Sequence, residues 1–405
     1  TSSSGAVTLR AGDDIVIHPG STIRAAGRVI LFADYGNADA GMGSTVYIRG
    51  SITAQRLQIE GNNDNDVFYI ATGSITCPVY VYGMGGSNLF VVKAQDFSSP
   101  MYMYGGNGDD RFDINGSGLK NKLVLDGRSG ADAYNIRISG AGRYTIDVTD
   151  TGNDGSTDKL TIRGSSSSNT FLLRRGFVAV GSGSNLTERI NYNGNIELLE
   201  IYGEGGNNKF YLDDNSTHTK IYGGSGDNLF QIGQIYGTNR KILGARATNY
   251  RDGVGTIQTT RGYLSNGISY ETYIFGGSGN DTFSVYSNKA PLWLYGMGGR
   301  NTFIIRAFAL AQRAEDGSVM YNMNAPLYIE GGKDDNIIIV GTEFGRDFDL
   351  SQGGVSGMGL NLTMKGVENV EVVRDLPLEP GLGLDGESLG TLPETPFMYR
   401  DVVTY

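Results

Sequence analysis

The sequence predicts an all-β chain, a parallel β-solenoid or β-helix with roughly 20-residue coils drawn out into an elongated rod. Three observations lead to that fold. A short glycine-rich phrase recurs along the chain with its internal spacing intact, the segments flanking it are short and alternate apolar with polar residues, and no stretch sustains a helical period.

The phrase is clearest at Tyr273 to Val285, Y-I-F-G-G-S-G-N-D-T-F-S-V. Counted from its first glycine, it has Gly at positions one and four, Asp or Asn at six, an aromatic ring at eight and an aliphatic residue at ten. Ten copies begin at Gly61, Gly83, Gly105, Gly127, Gly164, Gly203, Gly223, Gly276, Gly296 and Gly331. Position six is Asp66, Asn88, Asp110, Asp132, Asn169, Asn208, Asn228, Asp281, Asn301 and Asn336. Position eight is Phe68, Phe90, Phe112, Tyr134, Phe171, Phe210, Phe230, Phe283, Phe303 and Ile338, so nine of ten copies put a ring at one place. Successive starts lie 22, 22, 22, 37, 39, 20, 53, 20 and 35 residues apart, a unit near 20 that some coils lengthen or disguise. That unit is too short for a helix pair and fits one solenoid coil, whose strands stack about 4.8 Å from those of the next.

In chain order, residues 1–60 read as leading coils, strands punctuated by small turns without the full phrase. Residues 61–375 form the repeat region, with loop insertions near 139–200 and 236–271, and the polar run Thr149 to Asp158 stands out as an exposed loop. Ala307 to Ala314 is the nearest approach to a helical segment and reads as a loop excursion or one short helix. Residues 376–405 hold four of the nine prolines and read as an extended tail or linker. In the turns, glycine supplies positive φ, and Asn or Asp at position six is the next most tolerant residue and can form amide ladders. The ring at position eight points inward.

Glycine is 62 of 405 residues and proline only 9, which excludes collagen and Pro-rich disorder. Lys and Arg number 33 against 43 Asp and Glu, with no basic cluster, which argues against nucleic acid and anionic membrane surfaces as partners. No apolar run is long enough for a membrane span, and the lone Cys77 sits in a strand-like apolar context as a buried thiol. A mildly acidic, disulfide-free repeat chain suits an extracellular setting, secreted or at a cell surface. Thr1-Ser-Ser-Ser-Gly has no charged and apolar leader, so a secretion signal is expected to have been removed or to belong to a longer precursor. Five N-x-Ser/Thr sequons begin at Asn115, Asn185, Asn215, Asn280 and Asn361.

Gly105-Gly-Asn-Gly-Asp-Asp-Arg-Phe112 and Gly276-Gly-Ser-Gly-Asn-Asp-Thr-Phe283 are similar to the G-G-x-G-x-D-x-hydrophobic nonapeptide of the RTX, or haemolysin-type, calcium-binding family. The text from residue 7 to 373 more loosely resembles very large bacterial surface and secreted repeat proteins. The resemblance implies Ca2+ held by turn carbonyls and position-six carboxylates, which here implicates Asp110 and Asp281, with Asp66 and Asp132 from looser copies. Six of ten position-six residues are Asn, so a full calcium rack is not expected.

Enzymatic chemistry finds little support. His18 and His218 are far apart, the acids are distributed by the repeat, and no nucleophile elbow, Walker loop or Cys and His metal spacing occurs. The 24 tyrosines, often beside the turns, read mainly as half-buried strand positions, with a sugar-binding or subunit-contact face as the other reading. Leu392-Pro-Glu-Thr-Pro396 resembles a sortase signal but has Pro where Gly is required. The expected function is therefore structural, a non-enzymatic building block of a surface layer, sheath, filament or adhesin stalk that self-associates head-to-tail or laterally and meets cell-surface glycans. The alternative is a carbohydrate-active enzyme or carbohydrate-binding protein on the same scaffold.

Overall fold

The structure, a computed structural model, describes residues 1–37, 41–72, 74–93, 96–183, 185–236, 254–260, 262–332, 334–341, 348–351, 353–373 and the backbone of 400–404. Among these residues the regular structure is strand throughout apart from one 3-10 turn, Gly116–Gly118. The chain divides into two compact units, the first made of Thr1–Ser165, Ala179–Gly181 and Thr187–Glu200 and the second of Ser166–Val178, Ser182–Leu186 and Ile201–Tyr405.

Each coil of the first unit contributes one strand before the glycine turn and one after it. The strands before the turn run parallel in one sheet: Val7–Arg10, Arg28–Phe32, Arg56–Glu60, Val79–Met84, Met101–Asn107, Leu123–Ser129, Tyr144–Val148 and residues 188–192. The strands after it form the second: Ile15–Ile17, Thr45–Ile48, Val67–Ile70, Leu89–Val92, Arg111–Asn115, Ala133–Arg137 and Lys159–Arg163. A short third side pairs Thr22–Arg24 with Ser51–Thr53 and continues as single bridges, Ile52 to Ile75 and Phe97 to Leu119. The two-residue side-chain period sets the burial, with Val79, Val81, Met101 and Met103 inside and Tyr80, Tyr82, Tyr102 and Tyr104 half-buried on the outer face.

The second unit repeats the plan. Parallel strands Thr170–Arg174, Lys209–Leu212, Leu229–Ile232, Thr282–Val285, Thr302–Arg306, Asn336–Val340 and Asn369–Val373 make one sheet. His218–Tyr222, Thr272–Gly277, Leu292–Met297, Leu327–Glu330 and Leu360–Lys365 make the other. Both sheets end in antiparallel strands: Arg400–Thr404 lies on Asn369–Val373, and Gly354–Gly357 with Asp349–Ser351 on Leu360–Lys365. The parallel edges there are covered, which a sheet with a free edge requires if it is not to template another chain.

The rings at position eight build the core. Phe68, Phe90, Phe112 and Tyr134 stack at centroid distances of 5.0, 4.6 and 5.0 Å, and Phe171, Phe210, Phe230, Phe283 and Phe303 at 4.8, 4.9, 4.8 and 4.7 Å. All are at most 1% exposed. Each ring contributes about 1.5–3 kcal/mol by burial, and each pair about 0.5–1.5 kcal/mol beyond it.

Several readings shift. The last copy of the phrase is one residue shorter in its turn: Ile337, not Ile338, pairs with Phe303, and Asp335, not Asn336, takes position six. Ala309–Arg313 is a strand rather than a helix, because antiparallel pairing with Val319–Tyr321 and with Thr259 supplies its backbone partners and overrides local helix propensity. The described part of the 236–271 insertion holds a hairpin, Thr256–Thr259 with Gly262–Ser265, which joins that side sheet over Leu264, Tyr286 and Phe308. The stretch 139–200 carries strands in register as well as the loop after Val148. The prolines of the tail lie outside the described residues. Cys77 is 2% exposed, and burial raises its thiol pKa.

Candidate functional site

The feature that unites both units is a pair of side-chain rails along the glycine turns. At position six, the backbone N–H of one coil donates to the side-chain oxygen of the next coil's position six. In the first unit Ser44 N donates to Asp66 Oδ1, Asp66 N to Asn88 Oδ1, Asn88 N to Asp110 Oδ1, Asp110 N to Asp132 Oδ1 and Asp132 N to Asp158 Oδ1, all at 2.7–2.9 Å. In the second unit Asn169 N donates to Asn208, Asn208 N to Asn228, Asn228 N to Asp281, Asp281 N to Asn301 and Asn301 N to Asp335, again at 2.7–2.9 Å. Position five carries a second, more exposed rail with the opposite polarity. Ser87 N donates back to Asn65 Oδ1, Asp109 N to Ser87 Oγ and Ala131 N to Asp109 Oδ1, while in the second unit Asp227 N donates to Asn207 and Asn280 N to Asp227. Sequence reasoning missed this outer rail, although its signal, an Asn, Ser or Asp just before position six, is present in most copies.

The first glycine of the phrase makes room for the inner rail. A Cβ on Gly105 would lie 2.0 Å from Asp110 Oδ2 and 2.6 Å from the Gly127 carbonyl oxygen, and one on Gly223 would lie 2.2 Å from the Gly276 carbonyl oxygen. Its backbone is not left-handed. Positive φ falls instead on position two, which is Gly106, Gly224 or Gly277 in some copies and Met84, Arg128, Glu204 or Met297 in others. The first glycine is thus selected by space and not by φ.

Asn and Asp complete a rung differently. Asn88 Nδ2 donates to the carbonyls of Gly85 and Gly86, and Asn208 Nδ2 to those of Gly205, Gly206 and Gly223, so the amide satisfies both of its ends. An aspartate puts Oδ2 where the amide nitrogen would be, facing carbonyl oxygens. No donor reaches Asp110 Oδ2, Asp132 Oδ2 or Asp281 Oδ2. Asp66 and Asp335 differ: Asp66 Oδ1 accepts from Ser44 N and Oγ and Oδ2 from Asn62 N, while Asp335 Oδ2 accepts from Gly332 N and Asn301 Nδ2. Burial pushes the carboxyls up, Asp110 to about 7, Asp132 to about 8 and Asp281 to about 6.

Of the four carboxylates implied as calcium ligands, Asp66, Asp110 and Asp132 lie on one rail with Asn88 between the first two, and Asp281 stands between Asn228 and Asn301. Each therefore has its own rung. Among the described residues Asp132 is the one of the four that falls in a close group of three carboxylates, with Asp150 and Asp158. Unpartnered oxygens at Asp110, Asp132 and Asp281 fit a cation as donors, whereas both oxygens of Asp66 are already engaged.

The outer tyrosines are also self-satisfied. Tyr80 stacks on Tyr102 at 4.7 Å and Tyr82 on Tyr104 at 5.2 Å, while Tyr202, Tyr222, Phe275 and Tyr295 form one column and Tyr273, Trp293 and Tyr328 another. Rings stacked this way cover one another's faces, the surfaces a sugar would need. A shallow cavity of about 260 Å3 lies where the second column ends, at Trp293, Tyr328, Glu330 and Lys365. His218 Nδ1 lies 3.7 Å from Glu271 at the surface. Among the sequons, Asn215 is buried with its amide bonded to Thr217, Thr219 and Thr272, and Asn280 serves the outer rail. Among the described residues no helix is long and apolar enough to cross a membrane. No family model and no curated protein sequence matches the chain.

Proposed function

We propose that this chain is a structural extracellular repeat protein, a building block of a surface layer, sheath, filament or adhesin stalk, whose residues act by holding form and not by catalysis. One observation carries the reading: the carboxylates, amides and rings that recur with the repeat are engaged between coils. The position-six oxygens accept backbone N–H groups, and the aromatic faces cover one another. The RTX-like phrase belongs to the same proposal, as the scaffold of a secreted repeat protein. Self-association is part of it too. In the first unit Leu9 and Val16 stand 36% and 43% exposed on the leading strands, whereas the second unit ends in antiparallel strands. Self-association head-to-tail or laterally is the form proposed.

Electron microscopy of the purified chain over a concentration series, with depolymerase assays and a glycan array alongside, tests this. Ordered polymers or sheets without polysaccharide cleavage are expected. Turnover of a polysaccharide, or a monomer at every concentration, would overturn it.

A further inference from the structure

The first unit departs from its own repeat at one place, and the departures converge. In the parallel register Leu125 pairs with Val148, so the residue that follows Gly127 in the column of first glycines is Asp150. A side chain occupies the space that the coils at Gly61, Gly83, Gly105 and Gly127 keep empty. The ring below it is Tyr134, the one hydroxylated member of its column, and its Oη accepts from Gly127 N at 2.6 Å and donates to Asp150 Oδ2 at 2.6 Å. The next rung of the inner rail is Asp158, whose Oδ1 accepts from Asp132 N at 2.7 Å.

These departures bring three carboxylates together. Asp132, Asp150 and Asp158 are 1%, 0% and 4% exposed, and one oxygen from each lies within 4.8 Å of the others. Asp132 Oδ2 is buried with no N–H donor on it, and the carboxyl it meets is that of Asp150, so the two acids face one another with nothing but a proton or a cation able to join them. The charged neighbours that act on the three are Asp110, Asp126, Asp154 and Glu197, all acidic. An uncompensated group of this kind is unfavourable unless a proton or a cation joins it.

We propose that Asp132, Asp150 and Asp158 form a binding site for one divalent cation of the hard, oxygen-preferring class, Ca2+ in particular. Hard carboxylate donors select that class. Ca2+ accepts irregular oxygen geometry, which suits ligands split between two rail residues and a residue at the mouth of an exposed loop, 151–157, through which an ion can enter. The site depends on Asp150 and Asp158, which the recurring phrase does not contain, and it stands whether or not the chain polymerises.

The test uses the full chain stripped with a chelator. Calorimetric titration with Ca2+ should give saturable heat, and Tb3+ should give emission under tyrosine excitation, because Tyr134 is bonded to Asp150. Asp132→Asn should abolish the heat and the emission while keeping the fold, since Asn accepts at the same rung at Asn88 and Asn208. Asp150→Gly, which restores the glycine of the other coils, should do the same. Tyr134→Phe should keep the Ca2+ heat and lose most of the emission, and Asp316→Asn, in an exposed turn of the other unit, should change neither. No saturable heat in the unaltered chain, undiminished heat in Asp132→Asn or Asp150→Gly, or full emission from Tyr134→Phe would overturn the proposal.

Discussion

The two units use the same turn with different chemistry on the inner rail. In the first, the accepting side chains are Asp66, Asn88, Asp110, Asp132, Asp158 and, continuing from Asp158 N, Glu197, five acids of six. In the second they are Asn208, Asn228, Asp281, Asn301 and Asp335, two acids of five. The contrast teaches what a rung needs. Either residue accepts the neighbouring coil's N–H, but only the amide also donates to the glycine carbonyls, so the rungs at Asp110, Asp132 and Asp281, whose second oxygen finds no donor, need a proton or a cation where amide rungs need nothing.

The largest effect should be common to both units and so marks what they share. Phe112→Ala and Phe230→Ala each remove a fully buried ring with stacked neighbours on both sides, and each should lower stability by about 3–5 kcal/mol in denaturant unfolding. Equal losses in the two units are expected. A loss below about 1 kcal/mol in either would separate the columns.

Next come the first glycines. Gly105→Ala and Gly223→Ala drive a methyl group against the rung side chain and the next coil's carbonyl, and each should cost about 1–3 kcal/mol. Replacing Met84 by glycine at position two should do the reverse on a smaller scale, a gain of about 1 kcal/mol or less, because Met84 sits at φ 79°.

The rung exchange sharpens the contrast itself. A carboxyl whose folded pKa is raised keeps its proton while the unfolded chain has lost it, so its support is greatest below the ordinary aspartate value. That support falls, at on the order of 1 kcal/mol per pH unit, as pH rises towards about 7 for Asp110 and about 6 for Asp281. In chelator, Asp110→Asn and Asp281→Asn should therefore stabilise at about pH 9 and change little at about pH 4, while Asn208→Asp should destabilise at the higher pH. Unfolding curves at the two pH values check this, and an Asp110→Asn chain no steadier than the unaltered one at the higher pH would remove the difference between the rails.

Much of this was readable in the residues. The period near 20, the inward ring and the glycine turn follow from elementary spacing, and the structure places Phe68, Phe90 and Phe112 in a single column as that spacing requires. The purpose of the first glycine was not, because a collision with a side chain five residues on and a carbonyl one coil away exists only once coils stack. Asp150 and Asp158 were hidden for the same reason: in sequence they belong to an ordinary polar loop, and only the register Leu125 to Val148 reveals Asp150 as a replaced glycine. The shift from Ile338 to Ile337 turned on one residue missing from a turn, which alternation along the isoleucine-rich strand Asn336–Val340 does not register.

Amide hydrogen exchange at the rungs tests the inter-coil rail most directly. The backbone N–H groups of Asn88, Asp110, Asn208 and Asn228 each donate to a side chain one coil away. They should exchange as slowly as amides inside the neighbouring strands and far more slowly than other turn amides. Exchange at the rate of open turns would mean that the side chains of position six do not tie the coils together.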